Sequence, residues 1–151
     1  MRLLLVVALA IGVAFTNAAV ADTFISKAEV ERVFGMRKSE WEAYAPRLVD
    51  PKWKMRLSRS NTGLGIMAFD PITGLGLSVQ PHYVDDKSPP TTLVVGSFYP
   101  RGKPPARLTA SEKDVERNAR RELGTKYFVS ARHIELPPGW EGIELVVTKP
   151  K

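Results

Sequence analysis

The stretch GLGIMAFDPITGLGLSVQ, residues 63–80, holds two apolar segments on either side of a short polar turn. Residues 63–69 and 74–80 predict two β-strands, because both are apolar and are bounded by turn-forming residues. Residues 70–73 join them, and Pro71 stands at the second position of a tight turn, where its fixed φ is favourable. The pattern therefore predicts a β-hairpin with antiparallel strands.

Four further segments have strand patterns. In residues 52–57, Lys52, Lys54 and Arg56 alternate with apolar residues, which is typical of a strand with one buried face. Positive charges on such an exposed strand are a common protection against aggregation through the sheet edge. The other predicted strands are residues 91–99, 127–136 and 143–148. We expect the last two to pair antiparallel, with Trp140 of their connecting loop folding back over the sheet.

Three helices are predicted from capping signals. Ser26 and Ser39 each precede a glutamate by three residues, which is the pattern of a capping box at the start of a short helix. Thr109 begins the same pattern before a longer third helix, for which Gly124 is the expected left-handed cap. Hairpin connections and one long helix indicate the α+β class. We expect a mostly antiparallel sheet of five to six strands, with two short N-terminal helices and the longer helix packed on one face.

Residues 1–21 have the plan of a secretory signal peptide, with Arg2, an apolar run and a small-residue cleavage site before Asp22. The apolar run is too short to span a bilayer, so we expect no integral membrane segment after cleavage. Residues 22–151 are expected to form a single compact domain. The sequence contains no cysteine, so its core must stabilise it without disulfides. An exported, cysteine-free domain suits a bacterial periplasm better than full secretion.

Positive charge is concentrated in residues 101–132, which contain nine Lys or Arg residues and four Asp or Glu residues. In the predicted third helix the three- and four-residue spacing of the cations places them on one side. A cationic helix face is either a solvated surface or a site for anions. The candidate ligand-binding residues are Lys113, Arg117, Arg120 and Arg121 of the helix, with Arg101 and Lys103 before it.

Two clusters could carry other chemistry. His133 and Glu135 share one face of a predicted strand, and Glu144 of the next strand is a possible neighbour, so the three are weak candidates for acid–base catalysis. The alternative is an ordinary polar pair on an exposed sheet face. His82, Asp85 and Asp86 lie in a proline-bounded loop and are weak candidates for a metal site, with a solvated loop as the alternative. No motif predicts a cofactor.

These patterns favour a non-enzymatic binding or interaction module whose basic helix face engages an anionic envelope component or an acidic partner protein. Export makes nucleic acid an unexpected partner, and the sequence leaves the oligomeric state open. Two alternatives remain. One is a small periplasmic hydrolase using the His/Glu strand face, and the other is a structural or assembly factor recognised through a sheet edge.

Overall fold

The computed structural model of the chain describes residues 26–103, 111–136 and 138–150. In this part of the chain, three α-helices and a six-stranded antiparallel sheet confirm the predicted α+β class. The predicted signal peptide lies outside the described residues. The elements are α1 (Lys27–Gly35), α2 (Lys38–Tyr44), β1 (Lys54–Ser60), β2 (Gly63–Phe69), β3 (Gly76–His82), β4 (Thr92–Pro100), α3 (Glu112–Leu123), β5 (Phe128–Leu136) and β6 (Trp140–Thr148), with single 3-10 turns after α2 and α3.

The strands lie in the order β1-β2-β3-β4-β6-β5, and every neighbouring pair is antiparallel. The first four strands pair in chain order, so the predicted hairpin of β2 and β3 is confirmed. The chain then passes through α3 to β5, and β6 returns between β5 and β4. The predicted antiparallel pairing of the last two strands is also confirmed. Consequently β1 and β5 are the two edge strands.

One face of the sheet carries the hydrophobic core. Alternate side chains of a strand share a face, and Leu64, Ile66 and Ala68 of β2 lie in one buried cluster with apolar side chains of β3 to β6. The helices add Val30, Trp41 and other apolar side chains to the same cluster. Contacts of α1 with β4, of α2 with β2 and of α3 with β5 and β6 place the helices on this face, which we call the helix face. The opposite face is the outer face.

Trp41 of α2 is fully buried and joins the helices to the sheet by a specific hydrogen bond. Its indole Nε1 donates to the carbonyl oxygen of Leu64 in β2, at 2.6 Å. The register of β2 and β3 places Pro81 opposite Leu64, and a proline has no N–H to donate across the ladder. The tryptophan therefore supplies the hydrogen bond that the neighbouring strand lacks.

Aromatic side chains lie over glycines on the outer face. An added Cβ on Gly96 would lie 2.5 Å from Cζ of Phe98, and one on Gly76 would lie 3.0 Å from Cε1 of Phe69. The Phe69 ring contacts Trp140 edge-on, with 4.7 Å between ring centroids. Because Phe69 belongs to β2 and Trp140 to β6, the two rings meet across β3 and β4. Trp140 thus folds back over the sheet, as its sequence position predicts.

β1 differs most from its prediction. The alternating sequence predicts a strand with one buried face, but all seven residues of β1 are exposed. Met55 and Leu57, on the helix face, are 38% and 50% exposed, because the helices do not cover this edge. An ion pair between Glu42 of α2 and Arg59, at 3.2 Å, connects the helices with β1. Of the residues predicted to face the core, Trp53 before β1 packs against it, whereas the prediction was wrong for Met55 and Leu57.

Helix boundaries differ by a few residues. Ser26 caps α1 as predicted, accepting from the backbone N–H of Glu29 at 3.2 Å. α2 begins earlier than its predicted cap at Ser39, because the Glu40 carboxylate accepts from the backbone N–H of Arg37 at 2.7 Å. The predicted cap at Thr109 lies outside the described residues, and Ser111 is the N-cap of α3. Gly124 ends α3 with φ +71° and ψ −161°, so its φ is positive but it is not in the left-handed helical region.

We predict that Trp41→Phe destabilises the protein by about 1–3 kcal/mol, because it leaves the Leu64 carbonyl oxygen buried without a donor. Urea denaturation monitored by circular dichroism measures the loss. Pro81→Ala restores a backbone N–H opposite that oxygen, so Trp41→Phe should cost less in the Pro81→Ala background. Equal costs in the two backgrounds would show that the proline does not create the need for the indole.

Candidate functional site

Two of the four candidate cations on α3 are neutralised by neighbouring carboxylates. Arg117 forms an ion pair with Asp114, and Arg120 forms one with Glu116 at 2.8 Å. Lys113 and Arg121 are exposed and have no ion pair within the described part of the chain. The cationic side of α3 that was proposed from sequence therefore has two cations without an ion pair in the described part of the chain, instead of four.

The paired side of α3 has a structural role, because it closes the sheet edge formed by β5. Side chains at three successive turns of α3 bond to backbone groups of β5 that face away from β6. The carboxylate of Glu112 accepts from the N–H of His133 at 3.0 Å, and that of Glu116 accepts from the N–H of Ala131 at 3.3 Å. Arg120 donates to the carbonyl oxygen of Val129 at 2.8 Å. The helix thus satisfies three outward backbone groups of β5, which makes this edge less available for pairing with another strand.

The two candidate cations before α3, Arg101 and Lys103, have different surroundings. Arg101 follows β4 and forms an ion pair with Glu135 of β5, while its backbone N–H donates to the Gly139 carbonyl oxygen. Lys103 is exposed in the same turn. These contacts fasten the end of β4 to the turn between β5 and β6, and they occupy Arg101 with a structural ion pair.

The candidate acid–base residues do not converge. His133 and Glu135 lie on the helix face of β5, where His133 Nε2 is 3.9 Å from an oxygen of Glu141. Glu144 lies on the outer face and accepts a hydrogen bond from Nε of Arg132 at 2.6 Å. The sheet therefore separates Glu144 from the other two residues. On the helix face, Glu141 of β6 lies directly opposite Glu135 and takes the place beside His133 that Glu144 was expected to have.

The candidate metal residues are engaged in local contacts. His82 is the last residue of β3 instead of a loop residue. The carboxylate of Asp85 accepts hydrogen bonds from Ser88 and Lys87, and chiefly the backbone N–H of Ser88 holds its pKa below the usual value. Asp86 forms an ion pair with Lys38 of α2 at 2.7 Å. Among the described residues, no group of three or more metal-binding side chains lies close enough to hold an ion.

In contrast to β5, the edge of β1 is open. The bond from the Tyr83 N–H to the Thr62 carbonyl oxygen shows that even-numbered residues of β2 face β3, so odd-numbered residues of β2 bond to β1. By the same alternation, Met55, Leu57 and Arg59 direct their backbone N–H and C=O groups away from the sheet. None of these backbone groups has a hydrogen-bond partner in residues 26–103, 111–136 or 138–150.

The two faces of β1 differ in chemistry. Lys54 and Arg56 project from the outer face, and neither forms an ion pair with a described residue. Met55 and Leu57 project from the helix face and are partly exposed. The open edge therefore combines unpaired backbone groups with a cationic side and an apolar side.

A groove of about 450 Å³ lies on the outer face beside this edge, and we call it the outer groove. One wall is formed by β1 and β2, with Lys54 and Arg56 beside Met67 and Phe69. The other wall is the end of the β5–β6 hairpin, with Leu136 and Trp140. The groove is thus mainly apolar and has its two cations on one wall.

The sequence reasoning interpreted Lys52, Lys54 and Arg56 as charges on an exposed edge strand, but it did not identify the outer groove. One signal was available, because residues 63–69 of β2 are apolar at every position instead of every second one. Such a run indicates a strand with apolar contacts on both faces. The groove also needs Trp140, which is distant from β2 along the chain, so its position depends on strand order.

Comparison with protein family models, with curated proteins and with solved structures finds no match to this chain. The fold and the surface chemistry are therefore the basis for a function. Of the helices that the structure describes, none has the length and apolar character needed to cross a membrane.

We predict that Arg120→Ala lowers the free energy of unfolding by about 1 kcal/mol, because it removes the hydrogen bond to β5 and the ion pair with Glu116. Arg121→Ala is the matched control, since it removes the same side chain one position along without a partner, and it should change stability by less than about 0.5 kcal/mol. Chemical denaturation of both variants measures the difference. Equal effects would contradict the closure of β5 by α3.

Proposed function

We propose that the chain is an exported, non-enzymatic interaction module that binds an extended acidic segment of a partner protein along β1. The observation that carries the proposal is the row of outward backbone groups at Met55, Leu57 and Arg59, which lack partners in the described part of the chain. An extended segment could hydrogen-bond to these groups and add a seventh strand. Because α3 already bonds to three outward backbone groups of β5, β1 is the more available of the two edges.

The side chains of β1 favour an acidic and apolar partner. Successive side chains of an added strand would alternate between the two sheet faces. On the outer face they would lie beside Lys54 and Arg56, where carboxylates match the positive charge. On the helix face they would lie beside Met55 and Leu57, where apolar side chains remove exposed apolar surface from water. The preferred segment therefore alternates acidic and apolar residues.

Pairing of β1 with a second copy of itself is disfavoured by charge. Two antiparallel β1 strands would bring three cations from each copy close together, because each strand contains Lys54, Arg56 and Arg59. Only Arg59 has a described carboxylate partner, which is Glu42. An acidic partner gains attraction where a second copy meets repulsion.

Binding of a nine-residue peptide of alternating valine and glutamate tests the proposal by fluorescence anisotropy. A peptide of the same composition in two blocks is the control, and it should bind at least tenfold more weakly. Lys54→Gln with Arg56→Gln should reduce binding, whereas Lys113→Gln with Arg121→Gln removes the same charge from α3 and should not. Loss of binding only in the α3 variant would assign the anion site to the helix. Equal loss in both variants would show that the peptide responds to the net charge of the protein and not to a site on β1.

A proline substitution separates backbone pairing from side-chain contact. Leu57→Pro removes an outward N–H without removing a β1–β2 hydrogen bond, because proline is tolerated at such edge positions. We expect Leu57→Pro to abolish peptide binding and Leu57→Ala to weaken it only modestly. Hydrogen exchange should show that the amides of Met55, Leu57 and Arg59 become protected when the peptide binds. Equal binding by the two variants would overturn strand addition.

Export is supported by residues 1–21 and has its own test. Mass spectrometry of the periplasmic fraction of an expressing bacterium should find a mature N-terminus at Asp22. Leu5→Arg interrupts the apolar run and should leave the chain uncleaved in the cytosolic fraction. Retention of Met1 in the unsubstituted protein would contradict export without affecting the peptide-binding test.

A further inference from the structure

We propose that the outer groove is a second binding site, specific for a free single-chain amphiphile with an anionic headgroup. The headgroup would lie at Lys54 and Arg56, and the apolar chain would lie along the wall formed with Trp140. Ligand binding in the groove does not require strand addition at β1, although the two sites share the same two cations.

The two cations of the groove are neighbours on the same side of β1, and neither has a counterion among the described residues. Lys54 and Arg56 are two residues apart on the same side of β1, which separates their Cα atoms by about 7 Å. Neither forms an ion pair with any residue in the described ranges. A carboxylate placed between the two side chains could accept hydrogen bonds from both of them. Charge complementarity therefore selects an anion for this end of the groove.

The rest of the groove selects an apolar body. Met67 and Phe69 of β2 and Leu136 and Trp140 of the β5–β6 hairpin line the groove, and the part of an apolar chain that lies along them would be removed from water. The edge contact between Phe69 and Trp140 holds the two aromatic rings in place before any ligand arrives. A volume of about 450 Å³ is within the range of small-molecule sites and suits one chain better than a whole bilayer surface.

The position of the outer groove in the fold also favours ligand binding. The helix face is filled by side chains of all three helices, whereas no described helix covers the outer face. Most residues that line the groove belong to paired strands. Their backbone is therefore already ordered, and little backbone entropy is lost when a ligand binds.

Isothermal titration calorimetry with dodecanoate, below its micellar concentration, tests the site. We expect saturable binding of one dodecanoate per chain, and much weaker binding of uncharged dodecanol. Lys54→Gln with Arg56→Gln should weaken dodecanoate binding at least tenfold. Trp140→Ala should have a similar effect, and Phe128→Ala is the matched control, because Phe128 is an exposed aromatic residue at the other end of the outer face.

Charge substitutions in the groove give a second test that does not remove an aromatic contact. Leu136 is only half-buried, so Leu136→Glu and Leu136→Lys should both fold. The glutamate should abolish dodecanoate binding by repulsion, and the lysine should preserve or strengthen it. Circular dichroism confirms the fold of each variant. Equal effects of the two substitutions, or no saturable binding to the unsubstituted chain, would overturn the proposal.

Two further experiments distinguish a site for a single amphiphile from a bilayer-binding surface and from the peptide site on β1. Sedimentation with vesicles of anionic phospholipid should show no binding, and binding to vesicles without binding to dodecanoate would assign the surface to a bilayer instead. Leu57→Pro should lose the valine–glutamate peptide and retain dodecanoate, while Trp140→Ala should do the reverse. Joint loss of both ligands in either variant would show that the two sites are not distinct.

Discussion

The hydrogen bond from the Trp41 indole to the Leu64 carbonyl oxygen is the constraint on which the arrangement of layers depends. A proline in β3 leaves one position of the β2–β3 ladder without a donor, and a buried carbonyl oxygen without a donor is costly. In this structure a side chain from the helix face, that of Trp41, supplies the missing N–H. The bond therefore fixes α2 against the middle of β2 and commits the N-terminal helices to one face, which leaves the outer face to its own aromatic residues.

The two edge strands of the sheet differ in whether their outward backbone groups have hydrogen-bond partners, and this difference determines where the surface is open. At β5, charged side chains of α3 bond to the strand backbone, so much of the charge that the sequence suggests for ligands is used to close the sheet. At β1, the backbone groups of three residues stay unpaired within the described residues, and the cations around them have few counterions. The edge proposed to bind a partner therefore lies at the opposite end of the sheet from the most basic helix.

Local patterns predicted the elements well, because caps, turns and apolar periodicity are encoded within a few residues. The β2–β3 hairpin and the buried side of α3, with Val115, Ala119 and Leu123, are examples. The candidate site depended on register and strand order, which are not local. The loop before β6 was expected to run to residue 142, but β6 begins at Trp140, and a shift of one residue moves a side chain to the other face. The positions of Glu144 and of the outer groove could not be deduced for this reason.

The pairing of β4 with β6 joins residues far apart in the chain, since Thr92 lies opposite Thr148. All other strand pairs connect neighbours in sequence, so they close short loops and can form early. During folding, β4 must wait with one apolar edge uncovered until the α3–β5–β6 segment is complete. During this interval the partly formed sheet has two open edges, β4 and β1, so misassembly through a strand edge is more easily possible than after β6 has paired.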